Sequence, residues 1–286
     1  MPGILYLVAT PIGNLGDISA RAIETLAGAD FIAAEDTRVT LKLLNHFGLK
    51  KSLLSYYAYN RRMSGELILE RLLNGASCAL VTDAGTPAVS DPGEDIVRLC
   101  AAHGVPVVPI PGACAATVAL SVSALPSGRF CFEGFLSTAK KSRLEHLNSL
   151  KTETRTMIFY EAPHKLQKTL ADLLSVLGDR KLSLCRELTK LHEEVLRCTL
   201  SEAVAHFSAT PPRGEFVLVL EGAPPAQEPD TPLEEALRQM SALMAAGLSR
   251  RDAARRVSGD SGWSKNALYE ASVEESEPPP PISKEI

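Results

Sequence analysis

The first 110 residues alternate short apolar runs with longer amphipathic stretches, and this alternation restricts the possible folds more than any other feature. Short apolar runs are typical of buried strands, whereas the amphipathic stretches have the spacing of surface helices. Regular alternation of the two predicts a parallel, helix-covered sheet. The predicted strands are residues 4–9, 31–34, 53–57, 78–81 and 105–110, and the predicted helices are 19–27, 40–47, 65–73 and 94–102.

The chain from residue 113 to residue 222 has a different order of elements. It begins with a predicted small-residue helix, 113–124, that leads to Pro126. The stretch between the predicted strands 181–186 and 195–200 is too short for a helix, so these two strands are expected to be antiparallel. The other predicted strands are 130–135, 157–160 and 215–220, and the predicted helices are 141–150, 164–177 and 201–207. We therefore predict an α/β protein of two domains, 1–112 with a mostly parallel sheet and 113–222 with a mixed sheet.

The last 64 residues differ from both halves in composition. Residues 223–232 contain four prolines and read as a linker. Three short helices are predicted at 233–246, 249–257 and 264–271, with Ser249 and Ser264 as N-caps of the last two. Together they predict a small helix-turn-helix-like module over 233–273, and the proline-rich tail 274–286 is expected to be disordered.

The overall composition is that of a soluble globular protein, with 286 residues, 45% hydrophobic and 22% charged. The N-terminus lacks the pattern of a signal peptide and no apolar stretch is long enough to span a membrane, so we expect a cytoplasmic protein. The six cysteines are scattered without a C-x-x-C pair. Free thiols in a reducing compartment, with no metal centre, are therefore expected.

The net charge of −4 argues against a general polyanion binder, but two local clusters are basic. Residues 138–155 and 247–265 each hold five Lys or Arg against two acidic residues. Such clusters suit a local contact with phosphate. Judged by charge alone, the two clusters are explained equally well as solvated helix faces that bind no phosphate.

The segment V-T-D-A-G-T-P-A-V-S-D-P-G, residues 81–93, directly follows a predicted strand. Gly85 and Gly93 permit backbone conformations that other residues avoid, and Pro87 and Pro92 stiffen the loop. Thirteen residues are many for a strand-to-helix turn, which usually has about 2–6. At the carboxyl end of a parallel strand, such a loop favours ligand binding over a simple turn.

Further rigid or polar turns follow other strands of the same predicted sheet. They are A-T-P-I-G-N-L-G-D (9–17), A-A-E-D-T-R (33–38) and V-P-I-P-G (108–112). Because these turns converge on one sheet edge, they predict a cleft for a small, nucleoside-like molecule, although the first turn is not a G-x-G-x-x-G fingerprint. Glu35 and Asp36 are candidates for binding ribose hydroxyls or for a catalytic base that Arg38 orients; a structural ion cluster is the open alternative.

Eight motifs occur in order between residues 4 and 222. They are L-Y-L-V-A-T-P-I-G-N-L-G-D-I-S, A-A-E-D-T-R, V-T-D-A-G-T-P-A-V-S-D-P-G, P-I-P-G, E-G-F-L, I-F-Y-E-A-P-H-K-L, R-E-L-T-K-L-H-E-E and G-E-F-V-L-V. This series resembles the ribosomal RNA small-subunit methyltransferase I group of the tetrapyrrole methylase superfamily. The later segment G-L-S-R-R-D-A-A…S-K-N-A-L-Y is similar to that group's C-terminal helical module.

The resemblance implies a fold of the tetrapyrrole-methylase type, with S-adenosylmethionine bound between two α/β domains, and a homodimer. The implied reaction is 2′-O-methylation of a cytidine in the decoding region of 16S rRNA, which makes the 30S ribosomal subunit the implied partner. By motif position, the implied cofactor contacts are Pro11, Asp83, Ala84, Gly85, Cys114, Ala115, Glu161 and Leu188. The chain departs from the family pattern at Ser137, where Pro is usual, at A-C-A (113–115) in place of P-S-A, and at Y-A-Y-N (57–60).

Several substrate-side roles follow as hypotheses. A ribose hydroxyl needs a proton acceptor, for which Asp36 or Glu35 is the expected residue. Candidates for the RNA side are Arg186, Glu187, Lys190 and His192 in the second domain and Arg250, Arg251, Arg255 and Lys265 in the module. Simpler roles stay open: an Arg186–Glu187 strand-end pair, His164 as a capping or surface residue, and the tyrosines of 56–59 as core rather than base-stacking residues.

Two other functions are compatible with the motifs. One is methylation of a tetrapyrrole carbon, which predicts a large apolar cleft. The other is a ribosome-binding assembly protein without cofactor or catalysis. Binding of S-adenosylmethionine distinguishes the two methyltransferase functions, on RNA or on a tetrapyrrole, from the assembly protein, which would not bind it.

Overall fold

The computed structural model describes residues 1–224 and 231–274. The chain forms two compact units, Met1–Ala223 and Pro224–Ile286. The first unit contains both predicted sheets. The second contains the predicted helical module.

The first sheet has five parallel strands in the order β3-β2-β4-β1-β5, as the alternating pattern predicts. Its strands are β1 (Leu5–Val8), β2 (Phe31–Ala34), β3 (Ser52–Ser55), β4 (Cys78–Val81) and β5 (Val107–Ile110). The helices between them are α1 (Ala20–Gly28), α2 (Thr37–His46), α3 (Arg61–Leu73) and α4 (Glu94–Ala102), and a 3₁₀ turn covers Leu15–Asp17. All five carboxyl ends therefore lie along one edge of the sheet.

Both faces of this sheet are buried, which explains its nearly continuous apolar strands. Leu5, Ala33 and Leu80 pack into the core on one face. On the other face, Ile32 and Val81 pack with Leu26 of α1 and Leu44 of α2.

The second sheet is mixed, with the order β6-β7-β10-β8-β9. Its strands are β6 (Phe130–Phe135), β7 (Thr156–Glu161), β8 (Lys181–Arg186), β9 (Glu194–Thr199) and β10 (Phe216–Leu220). β6 and β7 pair in parallel, the other pairings among these strands are antiparallel, and the predicted antiparallel pairing of β8 with β9 is confirmed. The helices are α5 (Ala115–Val122), α6 (Lys140–Ser149), α7 (Pro163–Leu177) and α8 (Leu200–Ala209). Helix α5 packs on one face, where Ala116, Ala119 and Leu120 meet Ile158 and Val219.

Several predicted boundaries are wrong, and each error has a local cause. Helix α2 begins three residues early because the Asp36 side chain caps it, accepting a hydrogen bond from the Arg38 N–H at 2.8 Å. Strand β3 ends at Ser55 because the Asn60 amide donates to the Ser55 carbonyl at 3.0 Å and accepts from the Tyr57 N–H at 2.8 Å. Strand β5 begins only after Pro106, which has no N–H to donate.

The turn that follows β3, between Ser55 and Asn60, decides which tyrosines are buried. Tyr56 is buried and donates its hydroxyl to Asp95 at 2.6 Å, so the core interpretation holds for this residue. The core interpretation is wrong for Tyr59, whose side chain is 96% exposed because the strand has already ended.

The C-terminal unit is a three-helix module with its own apolar core. Helices α9 (Leu233–Ala245), α10 (Arg250–Ser261) and α11 (Lys265–Glu274) bury Leu237, Met240, Val257 and Leu268 against one another. Both predicted caps are present: Ser249 accepts from the Asp252 N–H and Ser264 from the Ala267 N–H. Glu274 ends α11, and residues 225–230 of the predicted linker and 275–286 of the predicted tail lie outside the described residues. In neither unit does the described chain contain a helix long and apolar enough to cross a membrane.

Candidate active-site cleft

Direct hydrogen bonds join the three rigid turns at the carboxyl edge of the first sheet. Thr10 of the first turn and Gly85 of the second exchange backbone hydrogen bonds of 2.9 and 3.0 Å. The Thr86 hydroxyl then donates to the Ala113 carbonyl beside the third turn at 3.0 Å. The predicted convergence of these turns is confirmed.

The 81–93 loop is held in an unusual backbone conformation. Ala88 and Ser90 adopt positive φ angles of 65° and 74°, which residues with a β-carbon rarely do. Gly85 has a φ of +88°, and a β-carbon there would lie 3.4 Å from Ile12. Such strain persists only where surrounding contacts fix the chain, and it is common in ligand-binding loops.

A cavity of about 510 Å³ lies between this edge and the second sheet, which is an ordinary size for a small-molecule site. Ile12, Thr86 and Val89 line it from the first sheet's side. Phe135 and Tyr160 line it from the second sheet. The two halves meet closely beside it, since a β-carbon on Gly13 would lie 2.5 Å from Lys190 Cγ and 2.8 Å from Thr189 Oγ1.

The cavity gathers most of the residues implied as cofactor contacts. Seven line it directly: Asp83, Ala84, Gly85, Cys114, Ala115, Glu161 and Leu188. Pro11 is not among the lining residues, although its neighbour Ile12 is. The motif positions thus come from distant parts of the chain and meet in one place.

Five carboxylates line the cleft: Glu35, Asp83, Asp91, Glu161 and Glu215. The Asp83 N–H donates to Glu35 Oε2 at 3.4 Å, and Asp83 Oδ1 accepts from the Asp36 N–H at 3.1 Å. Burial raises the pKa of Glu35 and of Asp83. Burial, together with the negative charges of Glu35 and Asp83, raises the pKa of Asp91 to about 6. The cleft is therefore acidic and favours a cationic ligand.

Asp36 and Arg38 are placed differently from Glu35. Neither lines the cavity. Arg38 donates to Asp36 through Nε at 3.0 Å and Nη2 at 2.6 Å, and its side chain is 87% exposed. The hydrogen bonds from the Arg38 side chain and backbone lower the pKa of Asp36 to about 2. Asp36 and Arg38 thus form an ion pair at the N-terminus of α2, beside the cleft wall, and Asp36 caps the helix.

The candidates on the RNA side are also spread out. Lys190 lines the cleft and contacts Glu187 at 3.0 Å and Glu215 at 2.8 Å. Arg186 instead pairs with Glu194 across β8 and β9 at 2.9 Å, and His192 is exposed. In the C-terminal unit, Arg251 and Arg255 are exposed, and Arg250 and Lys265 are half-buried.

Asp91 and Tyr160 are among the lining residues that sequence reasoning missed. Asp91 lies in the singled-out loop, but nothing in the local pattern shows that it turns toward Glu35. Tyr160 accepts a hydrogen bond from the Ala116 N–H at 3.1 Å, and its ring contacts Phe132 and Phe135 with centroids 4.9 and 5.5 Å apart. Burial raises the pKa of Tyr160 to about 12, so its phenol stays neutral near neutral pH.

Comparisons with known proteins identify the family to which this chain belongs. The family model described as tetrapyrrole (corrin/porphyrin) methylases matches residues 4–204. Two curated relatives are both named ribosomal RNA small subunit methyltransferase I. The Synechocystis sp. protein is 49% identical over 273 residues, with 95% of this chain and 98% of the relative covered. The Halalkalibacterium halodurans protein is 47% identical over 270 residues, with 93% of each chain covered.

A solved structure shows the same fold at low sequence similarity. It is the uroporphyrin-III C-methyl transferase from Thermus thermophilus complexed with S-adenyl homocysteine. It superposes with a TM-score of 0.53 at 19% identity and covers 76% of this chain and 97% of its own. The predicted fold class and the predicted methyltransferase activity are thereby confirmed. The chain belongs to the tetrapyrrole methylase family and, within it, to the ribosomal RNA small subunit methyltransferase I group.

Proposed function

We propose that this protein transfers a methyl group from S-adenosylmethionine to the 2′-hydroxyl of a cytidine in the decoding region of 16S rRNA. The observation that carries the proposal is the cleft: three joined turns and the second sheet enclose one acidic cavity of suitable size. The relatives named as ribosomal RNA methyltransferases, which match over nearly the whole chain, support RNA rather than a tetrapyrrole as the acceptor.

The lining residues fit this donor. Small or apolar side chains at Ala84, Cys114, Ala115 and Leu188 leave room for an adenosyl group, and Gly85 keeps the second turn close to the first. When bound, S-adenosylmethionine supplies a methyl group made electrophilic by a positively charged sulfur. We assign Pro11, Asp83 and Glu161, with the residues above, to holding it.

We assign the role of proton acceptor to Asp91. With a pKa of about 6, it is ionised at neutral pH yet more basic than an ordinary aspartate. Burial keeps the pKa of Asp91 high, and the negative charges of Glu35 and Asp83 raise it further. Asp91 would take the proton of the ribose hydroxyl as that oxygen accepts the methyl group supplied by the donor. Asp36, with its low pKa and its bonds to Arg38, is a poorer base. Its expected contribution is to position α2 and Arg38.

The acceptor is proposed to be the ribosomal RNA of the small subunit in the cytoplasm, bound by a homodimer. Lys190 lies at the cleft, and Arg186 is the last residue of strand β8, which precedes it in the chain. Arg251 and Arg255, exposed on α10, supply further phosphate contacts, together with Arg250 of α10 and Lys265 of α11.

The decisive experiment incubates the protein with methyl-labelled S-adenosylmethionine and 30S subunits from cells that lack this methyltransferase. We expect label in one cytidine of the 16S RNA, resistant to alkali at its 3′ side because the 2′-oxygen is blocked. Transfer to a porphyrinoid but not to RNA would replace this proposal with tetrapyrrole methylation. Absence of donor binding would remove both enzymatic functions.

A further inference from the structure

A second, smaller cavity of about 110 Å³ lies where helices α6 and α7 begin. Ser137 and Thr138, which precede α6, form one part of its wall, and His164 and Lys165 of the first turn of α7 form another. Neither helix has a side chain that caps its first turn. Helix N-termini carry free N–H groups and a partial positive charge, so both favour an anion.

The buried guanidinium of Arg143 lines this cavity and is incompletely bonded. Its side chain is 4% exposed. Its Nε donates to Asp172 at 2.7 Å, and its Nη1 donates to the carbonyls of Ser137 at 3.0 Å and Thr138 at 3.1 Å. Nη2 is buried and has no hydrogen-bond partner among the residues that the structure describes. Because a buried charged donor without an acceptor is costly, this nitrogen indicates an acceptor supplied by a ligand.

The remaining charges at the cavity also favour an anion. Lys165 and Lys168 line it in addition to Arg143. The one carboxylate in its wall, Glu161, already accepts from the Ala162 N–H at 2.9 Å and from the Thr169 hydroxyl at 2.5 Å. Asp172, which balances Arg143, is not part of the wall. The wall therefore holds three cationic side chains against one carboxylate.

The two cavities are neighbours. Glu161 belongs to both walls, and Ala162 and Pro163 line the larger cleft, whereas His164 and Lys165 line the smaller cavity. The first turn of α7 therefore separates the proposed methyl-transfer site from the cationic cavity.

We propose that the smaller cavity binds a phosphate group through Arg143 Nη2, Lys165 and Lys168. The phosphate site rests on the proposed function in one respect, because we assign the phosphate to the RNA backbone close to the methylated ribose. A free phosphate ion offers the same chemistry, and the experiment distinguishes the two sources.

The first arm measures binding of inorganic phosphate to the full-length protein by calorimetry, with chloride replacing phosphate to hold ionic strength constant. Lys168→Gln changes an exposed lysine and leaves the core intact. Arg143→Lys keeps the charge but removes the forked donor. Lys50→Gln is the matched control, since Lys50 is exposed, is not part of the cavity wall and precedes β3, an edge strand of the first sheet. We expect phosphate affinity to fall at least about tenfold in the Lys168 and Arg143 variants, as loss of a hydrogen bond between charged groups predicts, and to stay unchanged in the control.

The second arm measures methylation of 30S subunits by the same variants. We expect Lys168→Gln to raise the KM for RNA, to leave donor affinity unchanged, and to reduce the slope of log affinity against log salt by about 1. Equal phosphate binding by wild type, Lys168→Gln and Lys50→Gln would overturn the site. Loss of phosphate binding with unchanged KM and salt slope would overturn the RNA assignment and identify a free-phosphate site. If the protein binds no methyl donor, the proposed function fails, and the phosphate arm still decides this inference.

Discussion

Asp91 offers a test in which stability and activity change in opposite directions. Its carboxyl has a pKa of about 6 in the folded protein against an ordinary 3.8. A group whose folded pKa is raised binds protons more tightly in the folded state, so its contribution to stability is lost as the pH rises from about 4 to about 6. At neutral pH the ionised Asp91 therefore destabilises the fold.

The full difference between 3.8 and about 6 is equivalent to about 3 kcal/mol. Because Asp91 is half-buried and solvent screens part of this charge, we expect a smaller effect, about 1–2 kcal/mol. Asp91→Asn should therefore be more stable than wild type by this amount at pH 7.5, and by much less at pH 4. The same substitution should lower kcat by about 10²-fold or more, since it removes the proton acceptor.

Urea unfolding followed by circular dichroism at the two pH values measures the stability change. Tryptophan fluorescence is unsuitable because the single tryptophan, Trp263, lies in the C-terminal unit. Asp260→Asn, at an exposed position of that unit, is the control. An Asp91→Asn variant with unchanged stability at pH 7.5 and wild-type turnover would show that the charge of Asp91 does not destabilise the fold and that Asp91 is not the proton acceptor.

Three further substitutions test the cleft and the RNA side. Gly85→Ala places a β-carbon at a φ of +88°, which costs about 1–2 kcal/mol of stability. Calorimetry should show that this variant binds the methyl donor at least fivefold more weakly. The control Gly48→Ala, at a φ of +67° away from the cleft, should lose stability but keep its donor affinity. Glu35→Gln removes a negative neighbour of Asp91, so the acidic limb of the pH–kcat profile should move to lower pH; an unmoved limb contradicts the proposed coupling. Arg251→Glu should raise the KM for 30S subunits and weaken its salt dependence without altering donor binding, and an unchanged KM would exclude this face from RNA contact.

The fold was largely predictable because its determinants are local and repeated. The strands of the first sheet are buried on both faces, so their apolar runs stand out against the amphipathic helices. The short connection between β8 and β9 likewise leaves only an antiparallel arrangement. The errors lie at element ends, where single polar side chains such as Asp36 and Asn60 decide the last hydrogen bonds.

The candidate site was predictable in position but not in its chemistry. Rigid turns after parallel strands must share one edge, so glycine and proline spacing located the cleft. Which carboxylate faces that cleft depends on loop backbone angles, such as the positive φ of Ser90 beside Asp91, and these are not visible in the pattern. The sequence likewise places Arg143 in a basic cluster typical of a protein surface, whereas its side chain is buried and bonded to Asp172.

We propose above all that the acidic cleft holds a sulfonium methyl donor. The most direct test compares the Kd values of S-adenosylmethionine and S-adenosylhomocysteine, which differ by the methyl group and its positive charge, by calorimetry from pH 5 to pH 7.5. As Asp91 ionises near pH 6, the preference for the charged donor should increase by about threefold or more, and Asp91→Asn should flatten this dependence. A preference that does not change with pH, or absence of binding by either compound, would contradict the account.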